Sequence, residues 1–268
     1  MNFHDRVTLT LEGSVAHVQL NRADKLNALD DAMFDGIVDA GQQLFEVPQA
    51  RCVVLSGAGR AFCAGLDMGT MAKVDHLAET PLTVRTHGNA NRPQQAAMVW
   101  RKLPMPVIAA VHGVCFGGGL QVALGADIRI CAPDARLSVM EVKWGLTPDM
   151  GGYLLWRELV RDDVLRELIY TARQFSGEEA ERLGFATQVD AAPLARAMAL
   201  AHEIAGASPH AVRTAKSLLN RVPDMTADQV LAAESHEQLR LLGSRNQREA
   251  VAAGLERRTP RFVDPDPG

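Results

Sequence analysis

The residues best suited to chemistry lie between Val107 and Gly152. A short apolar run, Val107-Ile108-Ala109-Ala110-Val111, passes through His112-Gly113-Val114-Cys115-Phe116 into Gly117-Gly118-Gly119, and a helical pattern with Leu120, Ala123 and Leu124 follows. Three glycines at a loop-to-helix junction let backbone N–H groups approach a ligand closely. The unpaired N–H groups there favour negative charge. The segment therefore reads as a phosphate site, an oxyanion hole or a tight turn with close helix packing. The two familiar phosphate loops do not fit: GxGxxG needs glycine where Val122 stands, and no Gly-Lys-Ser or Gly-Lys-Thr occurs. A second turn, Gly59-Arg60-Ala61-Phe62-Cys63-Ala64-Gly65-Leu66-Asp67-Met68, also leaves a strand through small residues. Two such turns at adjacent strand ends can aim two N–H groups at one oxygen, which stabilises an enolate or a tetrahedral oxyanion.

Strands and helices in alternation must position these turns. Alternating Ala16, Val18 and Leu20 predict a half-buried strand over 15–20, and Cys52–Ser56, Val107–Val111, Ile128–Cys131 and Arg136–Val139 read as further strands. Leu29, Met33, Ile37, Val38 and Leu44 predict a helix over 27–45. Strand, glycine turn and helix in repeated order imply crossover units around a largely parallel sheet. Residues 69–102 are polar, with Pro81, Gly88 and Pro93, and read as a lid or loop, or as a weakly patterned surface helix. From Gly151 onward helix dominates: 153–172, a start at Ser176–Glu179, then 194–205, 211–220, 227–242 and 247–257. The chain divides, on this reading, into a core over 1–200 and a helical region over 201–268.

Composition excludes several functions. The chain has 268 residues, 28 Lys and Arg against 32 Asp and Glu, and a net charge of −4. That balance, with no patch of interleaved aromatic and basic residues, argues against nucleic-acid binding. No run reaches the ~18 apolar residues of a membrane span, and Met1–Arg6 has no secretory-signal pattern. Cys52, Cys63, Cys115 and Cys131 form no CxxC pair, so they predict buried thiols in a reducing cytoplasm rather than a zinc or disulfide framework. The eight histidines show no metal-ligand spacing, and His112 reads best as a packed turn residue.

Taken in order, these segments resemble the crotonase family, also called the enoyl-CoA hydratase/isomerase family. The likeness runs through Asn21-Arg22-Ala23-Asp24-Lys25-Leu26-Asn27-Ala28-Leu29, then Ala61–Asp67, then Ala110–Gly119 with Gly125-Ala126-Asp127. Leu183-Gly184-Phe185-Ala186 and the tail from Ala253 to Phe262 continue it. The resemblance implies an α/β spiral of ββα crossover units with a helical C-terminal region used in trimer or hexamer assembly. It implies an acyl-CoA thioester as substrate, with the carbonyl oxygen held by the backbone N–H groups of Leu66 and Gly118. Arg22, Lys25, Ala28, Ala64 and Asp67 would face the coenzyme A moiety, and residues 69–102 would bear on acyl specificity.

The resemblance also identifies the acid–base positions. Hydratases of the family carry two glutamates; here the first position is Gln121 and the second is Glu141. An amide orients a water or substrate but does not exchange a proton at neutral pH, so double-bond isomerisation is expected ahead of hydration. Met140, Val142 and Trp144 suggest an apolar setting that would raise the Glu141 carboxyl toward the range of a general base. Asp149, in Pro148-Asp149-Met150-Gly151-Gly152, resembles the second acid of the dienoyl-CoA isomerases, or else caps a helix. Such chemistry calls for no metal or redox cofactor. A hydratase for an unusual substrate and a non-catalytic acyl-CoA binder are the alternatives. Arg240, Arg245, Arg248, Arg257, Arg258 and Arg261 would serve a solvated face, a subunit contact or the coenzyme A phosphates.

Overall fold

A computed structural model describes residues 1–71 and 81–265. The residues expected to form a lid therefore lie partly outside the described chain. A seven-stranded sheet runs in the order β1-β2-β3-β4-β5-β7-β10, comprising Asn2–Phe3, Val7–Glu12, Val15–Leu20, Cys52–Gly57, Val107–Val111, Ile128–Cys131 and Gln188–Val189. β1, β2 and β3 pair antiparallel, and β3 through β10 pair parallel. A smaller sheet joins β6 (Val114–Phe116), β8 (Arg136–Ser138) and β9 (Phe175–Ser176). Single bridges Leu29 to Leu66 and Cys63 to Cys115 extend that second sheet. Each turn of the spiral thus adds a strand to the large sheet and a short segment to the small one, and the short segments stack the chemical turns.

The period of two along the strands separates the faces of the large sheet. Val53, Leu55, Val107, Ala109 and Val111 enter the main core. Cys52, Val54, Ile108, Ala110 and Ile130 enter a second cluster on the other side. On the main-core side lie α1 (Asp31–Phe45), α3 (Arg92–Lys102) and α4 (Gly118–Leu124). The second face is closed by α8 (Pro193–Ala205), whose Ala197, Ala201 and Ala205 recur every four residues and let the helix lie close to β4, β5 and β7. Residue 200, the expected boundary, therefore falls inside a helix that covers the sheet. All four cysteines are buried and free. Among the described residues no helix is long and apolar enough to cross a membrane.

Several elements differ from the sequence expectation for local reasons. α1 begins at Asp31, not residue 27, because Leu26 and Asn27 both have positive φ, 52° and 56°. Asp30 then caps the helix by accepting from the Met33 N–H. The stretch 69–102, expected as a lid or loop or as a surface helix, does contain a helix, but a buried one. Asn91 and Gln94 form a capping box, Pro93 sits in the first turn, and α3 buries Gln95 through Trp100. The helix expected over 153–172 is two, α5 (Gly152–Trp156) and α6 (Asp162–Thr171), because Arg161 is extended at the start of the second. α7 (Gly177–Leu183) starts as expected, with Ser176 accepting from the Glu179 N–H.

The C-terminal helices are α9 (Pro209–Arg221), α10 (Ala227–Leu241) and α11 (Arg245–Glu256). α9 is pinned to the core by Lys216, whose Nζ donates to Trp100 O at 3.0 Å and Met105 O at 2.9 Å and pairs with Asp127 at 2.8 Å. α10 buries no residue, and Leu219, Leu231, Leu239, Leu242 and Leu255 are exposed along this region.

Candidate active site

The two glycine turns meet. Leu29 N–H donates to Gly65 O at 2.8 Å and Asp67 N–H donates to Leu29 O at 3.0 Å, so residues 65–67 run beside Leu29. Cys63 N–H donates to Val114 O and Phe116 N–H donates to Cys63 O, both at 3.0 Å, which sets the same turn against β6. Because Gly65 and Asp67 bond to Leu29, the Leu66 N–H points to the opposite, β6 side. A Cβ on Gly65 would lie 2.7 Å from Phe116 O and 3.7 Å from Gly118 N, and Gly65 has φ +88°. Only glycine permits this approach. Among the described residues neither the Leu66 N–H nor the Gly118 N–H has a hydrogen-bond partner.

Asn27, to which sequence reasoning gives no separate role, fastens the 58–62 turn to the segment that precedes α1. Its buried Nδ2 donates to Ala58 O, Ala61 O and Phe62 O at 2.8–3.2 Å, and its Oδ1 accepts from Arg22 N–H at 2.8 Å. A buried asparagine in the left-handed region, where its amide can satisfy a turn's carbonyls, is the signal that could have found it.

Glu141 opens a single 3-10 turn, Glu141–Trp144, that follows β8. A Cβ on Gly117 would lie 3.4 Å from Glu141 Oε1, so the carboxyl stands beside the Gly118 amide. Gln121 Nε2 donates to Glu141 Oε1 at 2.6 Å, while Glu141 Oε2 is buried without a hydrogen-bond partner. Burial is the main force raising the Glu141 carboxyl above its ordinary range, and the nearby Asp149 charge adds to it. The Gln121 bond and the local backbone N–H groups pull the other way. The apolar setting is not the expected one. Val142 and Trp144 are 39% and 44% exposed, so those two side chains do not supply the burial.

Asp149 lies on an open groove of about 290 Å³ with Asn89, Gln94, Met98, Tyr153 and Leu154. The residue as a whole is exposed, yet its carboxyl is sheltered enough that desolvation raises its pKa. The following helix α5 has no side-chain cap, so Asp149 is not its cap. Gln121 departs from expectation. It is 1% exposed, and its Oε1 accepts from Met150 N–H at 2.9 Å and Gly152 N–H at 3.0 Å, so its amide faces protein groups rather than a ligand.

An unpartnered carboxylate oxygen beside two unpartnered amides is an arrangement for taking a proton next to a carbonyl. Residues 10–265 match the enoyl-CoA hydratase/isomerase family. The chain belongs to that family. The peroxisomal Delta(3,5)-Delta(2,4)-dienoyl-CoA isomerase of Arabidopsis thaliana is 33% identical, covering 94% of each chain. The short-chain-enoyl-CoA hydratase of Clostridium acetobutylicum is 32% identical, covering 95% of this chain and 96% of that one. Among solved structures, the enoyl-CoA hydratase from Bacillus anthracis superposes with a TM-score of 0.88 at 28% identity, covering 96% and 98% of the two chains. The architecture is accordingly the crotonase fold, an α/β spiral with a helical C-terminal region.

The five residues that crotonase resemblance assigns to coenzyme A fall on one patch, but not all offer free groups. Ala64 N–H donates to Leu26 O, and Ala28 is buried. Arg22 pairs with Asp67 at 2.7 Å and with Asp30 at 3.5 Å, so two of the expected ligand-facing charges neutralise each other. Asp67 Oδ1 also accepts from Gly69 N–H at 2.8 Å. The Arg22 bond is the main cause holding the Asp67 carboxyl below its usual range. Lys25 is exposed with no ion pair among the described residues, as is Arg60 in the adjacent turn. In the tail, Arg258 pairs with Glu249 and Glu256, and Arg240 with Glu237. Those two arginines are engaged within the helical region.

Proposed function

We propose that the protein shifts a carbon–carbon double bond along an acyl-CoA thioester in preference to adding water. The observation that carries this reading is the Gln121–Glu141 pair, an amide bonded to a raised carboxyl at 2.6 Å. Hydration by two carboxylates needs an acid or base at both positions, and the amide supplies neither. Glu141 Oε2 takes a proton from the carbon skeleton near the thioester. The bonding pair moves into a dienolate whose oxygen accepts from the Leu66 and Gly118 N–H groups. A proton then returns to a more distant carbon, from Asp149 or from Glu141 itself, and the double bond has moved. If Asp149 donates, a proton passes from Glu141 back to Asp149 to complete the cycle.

The dienoyl-CoA isomerase relative supports this reading, since two carboxyls here lie near enough to influence each other. The hydratase relative supports the alternative at nearly the same identity. The scheme invokes no metal or redox cofactor, because amides serve as electrophile and a carboxylate as base. Lys25 is proposed to meet the coenzyme A phosphates, with Arg22, Ala28, Ala64 and Asp67 shaping that patch. The exposed leucines of the C-terminal helices support a homotrimer or dimer of trimers. A cytoplasmic setting is proposed from the four free thiols.

A panel of 3,5-dienoyl-, 3-enoyl- and 2-enoyl-CoA substrates tests the function. Double-bond migration lost in Glu141→Gln is expected. Crotonyl-CoA hydration at an ordinary enzymatic rate, abolished by the same substitution and without isomerisation, would overturn the proposal in favour of a hydratase. Tight acyl-CoA binding with no turnover across the panel would favour a binding protein.

A further inference from the structure

Beyond the local backbone N–H groups of Met140 and Glu141, no side chain of its own segment bonds the Glu141 carboxyl. It begins a 3-10 turn, whose hydrogen bonds are poorly aligned, and the following Val142, Lys143 and Trp144 are exposed. The side chain that reaches it is Gln121, four residues into α4 counting from Gly118. The amide's orientation is decided by its partners. Its oxygen faces two N–H donors, Met150 and Gly152, so its nitrogen must face Glu141. A Cβ on Gly152 would lie 2.8 Å from Gln121 Oε1, so the bare glycine is what admits the amide.

We infer that Gln121 is a positioning residue that ties the base to the turn bearing Asp149, leaving Glu141 Oε2 as the free proton acceptor. The inference rests on the reading of Glu141 as the base. Gln121 N–H donates to Gly117 O at 3.1 Å, so the helix that supplies the Gly118 amide also carries the clamp. One side chain thereby relates the oxyanion donor, the base and the second carboxyl. Among the described residues, Asp149 is the charged group whose field reaches Glu141.

Two substitutions separate positioning from mere packing. Gln121→Leu forks one carbon earlier and has no polar atom, and it strands two backbone N–H groups. Gln121→Glu can still accept from both, and it can donate to Glu141 only while one carboxyl of the pair is protonated. The readout is the Glu141 carboxyl signal in carbon-13-labelled full-length protein, titrated without substrate and assigned by its loss in Glu141→Gln. In Gln121→Leu that titration should move up by about one pH unit, as expected for losing a bond to a charged acceptor. The acid limb of kcat should move with it, and kcat should fall more than KM changes. In Gln121→Glu the titration should become the two steps of a coupled pair, with activity recovered between them. A single, unmoved Glu141 step in Gln121→Glu overturns the inference, and this variant decides if Gln121→Leu does not fold. Because the titration needs no substrate, a moved step without isomerase turnover keeps the clamp and refutes the isomerase reading. Turnover with an unmoved step does the reverse.

Discussion

Replacing Gly65 with alanine tests whether the spacing of the two turns sets the reaction. The new Cβ would stand 2.7 Å from Phe116 O, and ordinary contact begins at 3.4 Å, so the turns must part by up to 0.7 Å or distort. The atom struck is backbone and belongs to β6, which the Phe116–Cys63 hydrogen bond already fixes. Alanine at φ +88° also adds backbone strain of about 1–2 kcal/mol. Overpacking contributes about 1–3 kcal/mol more, a combined loss of about 2–5 kcal/mol. A domain stable by about 5–15 kcal/mol keeps its fold at 25 °C under that loss. The catalytic effect is larger in proportion. If Leu66 and Gly118 are the oxyanion donors of the proposed mechanism, moving one N–H away from the other should cost about 10²–10³ in kcat.

The control is Gly13→Ala, where φ is +58° but nothing lies within 4 Å of the new Cβ. It carries a backbone cost and no clash, far from the turns. Urea unfolding should rank the variants as wild type, then Gly13→Ala, then Gly65→Ala. Turnover should fall in Gly65→Ala alone, with binding of free coenzyme A little changed because the thioester oxygen is absent from it. A Gly65→Ala protein that loses stability yet turns over at the wild-type rate would refute the argument, since the amide pair would then tolerate displacement.

Three other perturbations follow from the same structure. Glu141→Gln should lower kcat about 10²–10⁴-fold. It should also stabilise the fold at neutral pH: burial raises the folded-state carboxyl, so wild-type stability falls as pH rises from near 4.5 through the raised value. Thermal unfolding of the two proteins from pH 4 to 8 should show the gap opening with pH, and a constant gap would count against a buried base. Asp67→Asn should cost about 1–2 kcal/mol at pH 7, because the Arg22 pair is under a fifth exposed on both sides. The folded Asp67 carboxyl lies below 3.8, so that gap should close as pH falls through and below this value. Lys216→Met should cost about 3 kcal/mol or more, read by urea unfolding, since it leaves Asp127 and two carbonyls without their buried cation.

The strands that carry the site were legible because their signals are local. Val107–Val111 and Ile128–Cys131 stand in the structure with the ends that their short apolar runs and flanking turns predict. β9 and β10 were not, since two residues such as Gln188–Val189 hold too little pattern to reveal a strand that only its neighbour Ile130–Cys131 defines. The break between α5 and α6 escaped for a related reason. Leu155, Trp156, Val160 and Leu165 keep a helical rhythm across Arg161, so apolar spacing alone carries through a change of backbone direction. α3 was obscured by its polar composition, because Gln95 is buried with Ala96 through Trp100 and reads as surface in a hydropathy pattern.

The chemical residues divide the same way. The glycines of both turns announce close approach by type, and the structure brings Gly65 and Gly118 together through bridges that the sequence leaves unstated. Gln121 is the instructive exception. Its type says what it lacks, a proton to exchange, but its partners lie 20, 29 and 31 residues away on two other segments. No periodicity encodes such a meeting; it arises because Gly152 leaves space and because the Met150 and Gly152 N–H groups need an acceptor once buried. The same two amides that bind the oxygen turn the nitrogen toward Glu141. Backbone satisfaction and the orientation of the Glu141 carboxyl are therefore one constraint, and a change that preserves either without the other separates stability from the proposed proton transfer.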